Sequence, residues 1–437
     1  MSGVVHVADW VVPVSAPPLR NGAVWIEGGR IRLVGTAAEV RAAADGAEEI
    51  RWPGTLLPGL VNAHTHLQYT SMAEVGRGSY TGFEDWSRAF QVVYDLPDHD
   101  WGASAADGVR QAIAAGTTAL ADVVTDPPAL SALRDAGAHG IAYWEVMAWV
   151  DHTWNAGGAR ETVDLLHDHG LDGTGLSPHA PYSLDTGVLT DVVRLAREMG
   201  IRQHLHLAES AWEDSYTLTG TGQLAEQWRA WGYGEFALLR KGGAGQRPVE
   251  YAESIDALGP TMHIAHGIYT DAADREILRR HGTAIALCPR SNAVIGLDEA
   301  PVAAYLREGN VVGVGTDSLS SSPSLDLLGE TRELVRIARA QGYTERDLHA
   351  RILDAVTRGG ARAMGLDAGE GRLGVLEPGA MADIAVSEVT AASADDLIAA
   401  LTEDGEGRNL ATIIEGTIRW THDRLQSSST AEPSTAA

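Results

Sequence analysis

The chain is nearly devoid of two chemically versatile residues. It has one cysteine, Cys288, and one lysine, Lys241, in 437 residues. A single thiol excludes any intramolecular disulfide and suits a reducing cytoplasm, the compartment expected. All other basic side chains apart from histidine are arginine, a bias that fits genome composition better than function. Basic residues are also scarce overall: 33 Lys and Arg stand against 59 Asp and Glu, a formal net charge of −26. Such a surface repels nucleic acid and anionic membranes, so neither is an expected partner. No stretch holds the roughly 18 uninterrupted apolar residues of a membrane helix. The N-terminus, "MSGVVHVADWVVPVSAPP", lacks a basic segment followed by an apolar run, so no signal peptide is expected. No internal repeat of fixed period is present.

What is present is enough apolar material, 44% of the residues, for a full core, in a chain long enough for a barrel of about 250 residues or more plus an accessory domain. Both ends are strand-rich. "GAVWIEGGRIRLVG" reads as a hairpin turning at Gly28-Gly29, and "GVLEPGAMADIAVSEV" and "NLATIIEGTIRWTH" read as strands. These ends predict one composite β-sandwich domain from residues 1–54 and 372–424. Residues 425–437, small and polar, are expected to be disordered.

Residues 55–371 alternate. Short apolar strands are predicted at Thr55–His66, Thr118–Val124, Ile141–Ala148, Gly173–His179, Arg202–Ala208, Thr261–His266, Thr283–Cys288 and Val311–Thr316. Helical patterns such as "VLTDVVRLAREMG" lie between most of them. This is an α/β pattern with the strand count of a (β/α)₈ TIM barrel. An open doubly wound sheet would need a glycine-rich phosphate turn after its first strand, and here that strand ends in histidines. Residues 220–250 form a long insertion with two Trp. It reads equally as a surface excursion with its own small core or as a lid or substrate wall.

Side chains two apart on a strand share a face. In "VNAHTHLQ", His64 and His66 therefore point together, at the strand end where barrel active sites are built. "RQHLHLAES" places His204 and His206 on one face, with His206 nearer the C-terminal end and Glu209 just beyond. In "TMHIAHGIY" the alternation sets His263 and His266 on opposite faces, so His263 is read as an ordinary core histidine. His179 ends the fourth strand and Asp317 the eighth. Any one of these has a bland reading: a hydrogen-bonded core histidine or an Asp capping a helix. Their coincidence at the same ends of five strands points to a catalytic metal with imidazole and carboxylate ligands.

The motifs "LLPGLVNAHTH", "SPHAPYS", "HLHLAES", "HIAHG", "LCPRSN", "GTDSLSSSPSLDLLGE" and "LEPGAMADIAV" together resemble the amidohydrolase superfamily over nearly the whole chain. The similarity is to its cytosine-deaminase-like and chlorohydrolase-like aminohydrolases. The resemblance implies one divalent ion, zinc with iron(II) as the alternative, held by His64, His66, His206 and Asp317. It implies that Glu209 shuttles protons, that His266 and Asp317 orient the attacking water, and that His179 meets a ring nitrogen. Two-metal members bridge their ions with a carboxylated lysine. The sole lysine, Lys241, lies in the long insertion, so a single metal is expected.

Substrate is less constrained. Members of this branch that the chain is similar to deaminate methylthioadenosine, adenosylhomocysteine or aminodeoxyfutalosine, and others act on guanine or triazines. The reading is a metal-dependent deaminase of an amino-substituted N-heterocycle of the purine-nucleoside kind. Alternatives are hydrolytic dechlorination or ring opening by the same machinery, and a non-catalytic binding protein on the same scaffold. Asp95, after the first barrel strand, is a candidate for ribose hydroxyls. Arg290 in "CPRSN" is a candidate for a substrate carboxylate, or pairs with an acidic loop residue. Trp86 stacks on a base or, more simply, anchors its helix. Homo-oligomerisation is left open.

Overall fold

The computed structural model describes residues 3–428. Eight parallel strands close into a barrel: Leu60–Thr65, Thr117–Val124, His139–Glu145, Thr174–Ser177, Arg202–Leu207, Met262–His266, Ala284–Leu287 and Val312–Val314. Each lies within or beside a strand expected from the sequence. Helices pack outside, and the alternation works as anticipated. Leu205 and Leu207 join the large core between strands and helices, while His204 and His206 turn inward. The helix Ala272–His281 shows how the punctuation is local. Asp271 caps its start by accepting from the Ala273 and Asp274 amides, and Gly282 at φ 68° ends it.

The expected first strand is two strands. Thr55–Pro58 pairs antiparallel with Ile384–Ser387 in the terminal domain, and Leu60–Thr65 opens the barrel. The break falls at Gly59, where a β-carbon would lie 2.1 Å from Thr118 Oγ1. Only glycine lets the chain cross that close to the second strand. The other terminal strands, Val4–Val11, Leu19–Glu27, Arg30–Thr36, Glu48–Arg51, Asn409–Ile414 and Thr417–Thr421, complete one eight-stranded sheet, the separate β domain built from both ends. The tail expected to be disordered lies largely outside the described residues, and its beginning continues a helix, Asp423–Ser428.

The closing seam matters most for function. The eighth and first strands share a single ladder pair, Val314↔Asn62. Side chains reinforce it: Asn62 Nδ2 donates to Thr316 Oγ1 at 2.8 Å, and the Thr316 amide donates back to Asn62 Oδ1 at 3.1 Å. One step further, the Asp317 amide donates to the His64 carbonyl at 3.0 Å. Gly315 permits this approach, since a β-carbon there would meet His64 Cβ at 2.7 Å. The seam thereby sets Asp317 beside His64 although they stand 253 positions apart in the chain.

Residues 220–250 carry two short helices, Gln223–Ala230 and Ala237–Lys241. Leu224, Trp228, Phe236 and Leu238 pack with Tyr182 and Tyr216 into a local core. Leu224, Gln227, Trp228 and Trp231 also face the cavity at the barrel mouth. The excursion and the wall are the same object.

Candidate active site

Four imidazoles and two carboxylates converge at the C-terminal end of the barrel. His66 Nε2 lies 3.2 Å from His206 Nε2. Asp317 Oδ1 lies 3.6 Å from His64 Nε2 and 3.8 Å from His66 Nε2. His266 Nε2 lies 3.4 Å from Glu209 Oε1. Ligand atoms of His64, His66 and His206 fall within 4.8 Å of one another, as do those of His64, His266 and Asp317.

The backbone at the strand ends does what alternation cannot. His179, Ala208, His266 and Asp317 all have positive φ, at 34°, 54°, 71° and 59°. Left-handed conformations at such residues cost about 1–3 kcal/mol each and concentrate at functional sites. At His266 the consequence corrects the sequence reading. His263 does face the barrel interior: its Nε2 bonds the Ala63 carbonyl across the barrel at 3.0 Å, and its ring meets His204 edge-on. His266 comes inside as well, because φ 71° breaks the strand's alternation at its last residue. Both histidines lie inside the barrel, His266 at its mouth and His263 at the floor of the histidine cluster.

That floor orients the upper ring. His204 Nε2 sits 3.0 Å from His64 Nδ1, an arrangement that leaves His64 Nε2 pointing toward Asp317. The carbonyl of His179 accepts from His206 Nδ1 at 3.2 Å and so frees His206 Nε2. Burial, helped by the neighbouring rings, holds His64 and His206 well below the ordinary histidine value. Burial takes His66 to about 4 against the opposing pull of Asp317. All three are neutral at physiological pH, the form that ligates metal. His64 Nε2 is buried without a hydrogen-bond partner. An orphaned ring nitrogen facing two further nitrogens and a carboxylate fits a divalent ion with N₃O donors. The carboxylate is itself fixed: Asp317 Oδ2 accepts from Ser291 Oγ at 2.7 Å and Ser321 Oγ at 3.0 Å.

Asp122, on the second strand, secures the turn after His66. Its Oδ1 accepts from the Leu67 amide at 2.8 Å and from Thr65 Oγ1 at 3.1 Å, while Oδ2 is buried without a partner. Burial pushes this carboxyl from 3.8 to about 7. Between those values the folded protein holds a proton that the unfolded chain has released, so stability falls as pH rises from about 4 to 7. Asp122→Asn keeps the acceptor and removes the charge. Urea unfolding of this variant is expected to show a flatter pH dependence across that window and a gain on the order of 2–4 kcal/mol at pH 8 relative to pH 4. An unchanged pH profile would remove Asp122 from this role.

A cavity of about 200 Å³ opens above these residues. His66, His179, His206, Glu209, His266 and Asp317 line its base, and aromatic rings including Phe83, Trp86, Phe90, Tyr182 and Trp228 form its walls. Trp86 both lines the cavity and anchors its helix, with Nε1 donating to the Ser320 carbonyl at 2.9 Å. His179 has Ser183 Oγ 2.6 Å from its Nδ1. Because that hydroxyl donates to the Ala180 carbonyl, it accepts from Nδ1–H and leaves Nε2 as an acceptor.

Two candidates do not reach the cavity. Asp95 is exposed at the end of the helix Phe83–Tyr94 and accepts from Gln91 at 2.6 Å. Arg290 is buried and fully engaged: Nε meets Glu330 at 2.6 Å and Nη1 meets Glu406 at 2.6 Å, the alternative pairing with acidic residues. Lys241 is exposed at a helix end within the insertion and does not line the cavity. Conversely, no role was expected for Glu145, Ser291 or Asn292, although the last two stand in the motif "LCPRSN". Glu145 ends the third strand, lines the cavity, and lies 3.9 Å from His206 Nδ1. Its only sequence signal is an acid inside the apolar run "IAYWEVMA". Asn292 Oδ1 lies 3.1 Å from His266 Nδ1 and orients that ring.

Comparison with known proteins agrees with this architecture. The model of the amidohydrolase family matches residues 55–419. A 5-methylthioadenosine/S-adenosylhomocysteine deaminase of Nitratidesulfovibrio vulgaris is 29% identical over 383 residues, covering 85% of this chain and 80% of the relative. An adenosine deaminase from Xanthomonas campestris with bound zinc superimposes with a TM-score of 0.78 at 24% identity, covering 98% of this chain and 96% of that one. A zinc-complexed atrazine chlorohydrolase from Arthrobacter aurescens gives a TM-score of 0.74 at 19% identity, covering 98% and 99%. The two solved structures establish likeness of fold alone, whereas the family match spans the whole barrel and returns into the terminal domain. The chain belongs to the amidohydrolase family.

Proposed function

We propose that the protein is a metal-dependent hydrolytic deaminase of an amino-substituted N-heterocycle, most closely of the purine-nucleoside kind. The observation that carries this reading is the pairing of an N₃O donor set with Glu209 and His266 on one side of an aromatic-walled cavity. The relative named as a methylthioadenosine/adenosylhomocysteine deaminase supports the choice of substrate class. The non-catalytic alternative is disfavoured because the acid–base pair stands beside the donor set. Dechlorination would use the same base and is separated by the product released.

His64, His66, His206 and Asp317 would hold one ion, zinc by preference. Such an ion supplies Lewis acidity that makes hydroxide available from water near neutral pH. The remaining steps belong to the chain. Glu209 accepts the water proton, and burial, partly offset by His266, raises its carboxyl above the ordinary value so that it can return that proton. His266, with Nδ1 held by Asn292, presents Nε2 to Glu209 and the attacking oxygen. Glu209 delivers the proton to a ring nitrogen as the oxygen bonds the amidine carbon. Glu209, again a carboxylate, then carries the hydroxyl proton to the amino group, and collapse breaks the C–N bond, releases ammonia and leaves a carbonyl. His179, an acceptor at Nε2, receives an N–H from the exocyclic amino group or from the ring nitrogen once protonated, rather than meeting an unprotonated ring nitrogen. Burial holds its pKa near 3, so it stays neutral throughout.

An ammonia-release screen of the zinc-loaded protein against aminopurines, their nucleosides and triazines tests the reading. Ammonia from an adenosine-type compound is the expected result. Chloride from a chlorotriazine, with no ammonia from any compound, would replace it with the dechlorination reading. The wall has its own test. Trp231 is 52% exposed at the cavity rim, edge-on to Trp228 at 5.3 Å between ring centroids. Trp231→Ala is expected to raise KM roughly 3–10-fold with kcat nearly unchanged, because the lost contact is made equally in ground and transition states. An unaltered KM would make the insertion a surface feature only.

A further inference from the structure

The cavity lining holds no lysine or arginine among the described residues. Glu145, Glu209 and Asp317 line it. Arg290, the guanidinium expected to serve a substrate carboxylate, is consumed by Glu330 and Glu406. The three carboxylates do not have equivalent tasks. Asp317 belongs to the donor set and Glu209 pairs with His266, whereas Glu145 has Ser177 Oγ at 3.5 Å and stands near His179 and His206. The walls beyond are aromatic, and the rim carries Met147, 42% exposed, and Trp231. An anionic substituent held against the walls or rim, away from the donor set, would give up its hydration without meeting a cationic side chain, and would face an acidic surface of net charge −26 on approach.

We infer that the substrate carries no anionic group: the cavity selects neutral or cationic amino-heterocycles whose substituent is apolar or amine-bearing, and excludes those ending in a carboxylate or phosphate. This rests on the deaminase reading and narrows it. Within the adenosine series, a 5′-thioether with an alkyl end fits, and one ending in an amino acid does not. The discrimination is one of charge at the rim, so a cation placed there should relax it. Met147 is the site for that cation, two residues beyond Glu145 and outside the donor set.

The experiment compares 5′-methylthioadenosine with S-adenosylhomocysteine on the zinc-loaded full chain, by kcat/KM for ammonia release and by calorimetric binding. The expected result is a preference of at least about 100-fold for the neutral thioether, reduced about tenfold or more in Met147→Arg. Equal kcat/KM for the two compounds would overturn the inference and leave the deaminase reading intact. If neither compound releases ammonia the deaminase reading is in difficulty, and calorimetry then decides the inference alone. Tighter binding of the neutral thioether by about tenfold or more upholds it. Equal binding, tighter binding of the carboxylate compound, or binding of neither overturns it.

Discussion

Glu209→Gln is expected to lower kcat by about 10²–10⁴-fold while the protein retains its full complement of bound metal. The expectation follows from what the side chain does and does not touch. Glu209 Oε1 faces His266 Nε2 at 3.4 Å, but Glu209 belongs to neither triad built around His64. Its backbone is held independently, with its amide donating to Glu213 Oε2 at 3.0 Å, so the loop does not depend on the charge being removed. Glutamine has nearly the same shape and still accepts a hydrogen bond at Oε1. It cannot take a proton from water and pass it to a ring nitrogen. Metal analysis beside steady-state kinetics checks both halves. Retained activity would take the proton shuttle away from Glu209, and lost metal would move it into the donor set.

His64→Ala is expected to reduce bound metal from about one equivalent to near none and activity to background. His204→Ala is expected to weaken metal affinity by about 10–100-fold and to recover kcat at saturating zinc. The contrast follows from geometry. His64 Nε2 points at Asp317, whereas His204 reaches the centre only through His64 Nδ1, 3.0 Å away. The first deletion removes a donor. The second leaves the donor but frees its ring to rotate and exchange tautomers. Metal titration by competition with a chromophoric chelator separates the two, with thermal unfolding of each variant checking that the barrel persists. One full equivalent of tightly held metal in His64→Ala would exclude His64 as a ligand. A His204→Ala variant indistinguishable from wild type would reduce the histidine floor to packing.

Much of this protein was determined by its sequence alone. Period-two alternation is a local property, so that His64 shares a face with His66, and His204 with His206, follows from strand phase without knowledge of the fold. The alternation of apolar strands and helices restricts the architecture to a parallel α/β one, because parallel strands must be joined by crossovers, and the count of eight with histidines in place of a glycine-rich turn points to the barrel. Tertiary structure decided what depends on partners distant in sequence and on backbone torsions. Asp317 meets His64 because the Asn62–Thr316 seam and Gly315 bring the last strand against the first. His263 and His266 share the interior because one residue adopts φ 71°, which no alternation rule foresees. Arg290 was chemically suited to a carboxylate, but the buried Glu330 and the partly exposed Glu406 reached it from elsewhere in the chain. Glu145 became visible as a lining residue only once the barrel closed. Residue phase is fixed by covalent geometry over a few neighbours, whereas the charge of a cavity is a sum over side chains that only folding assembles.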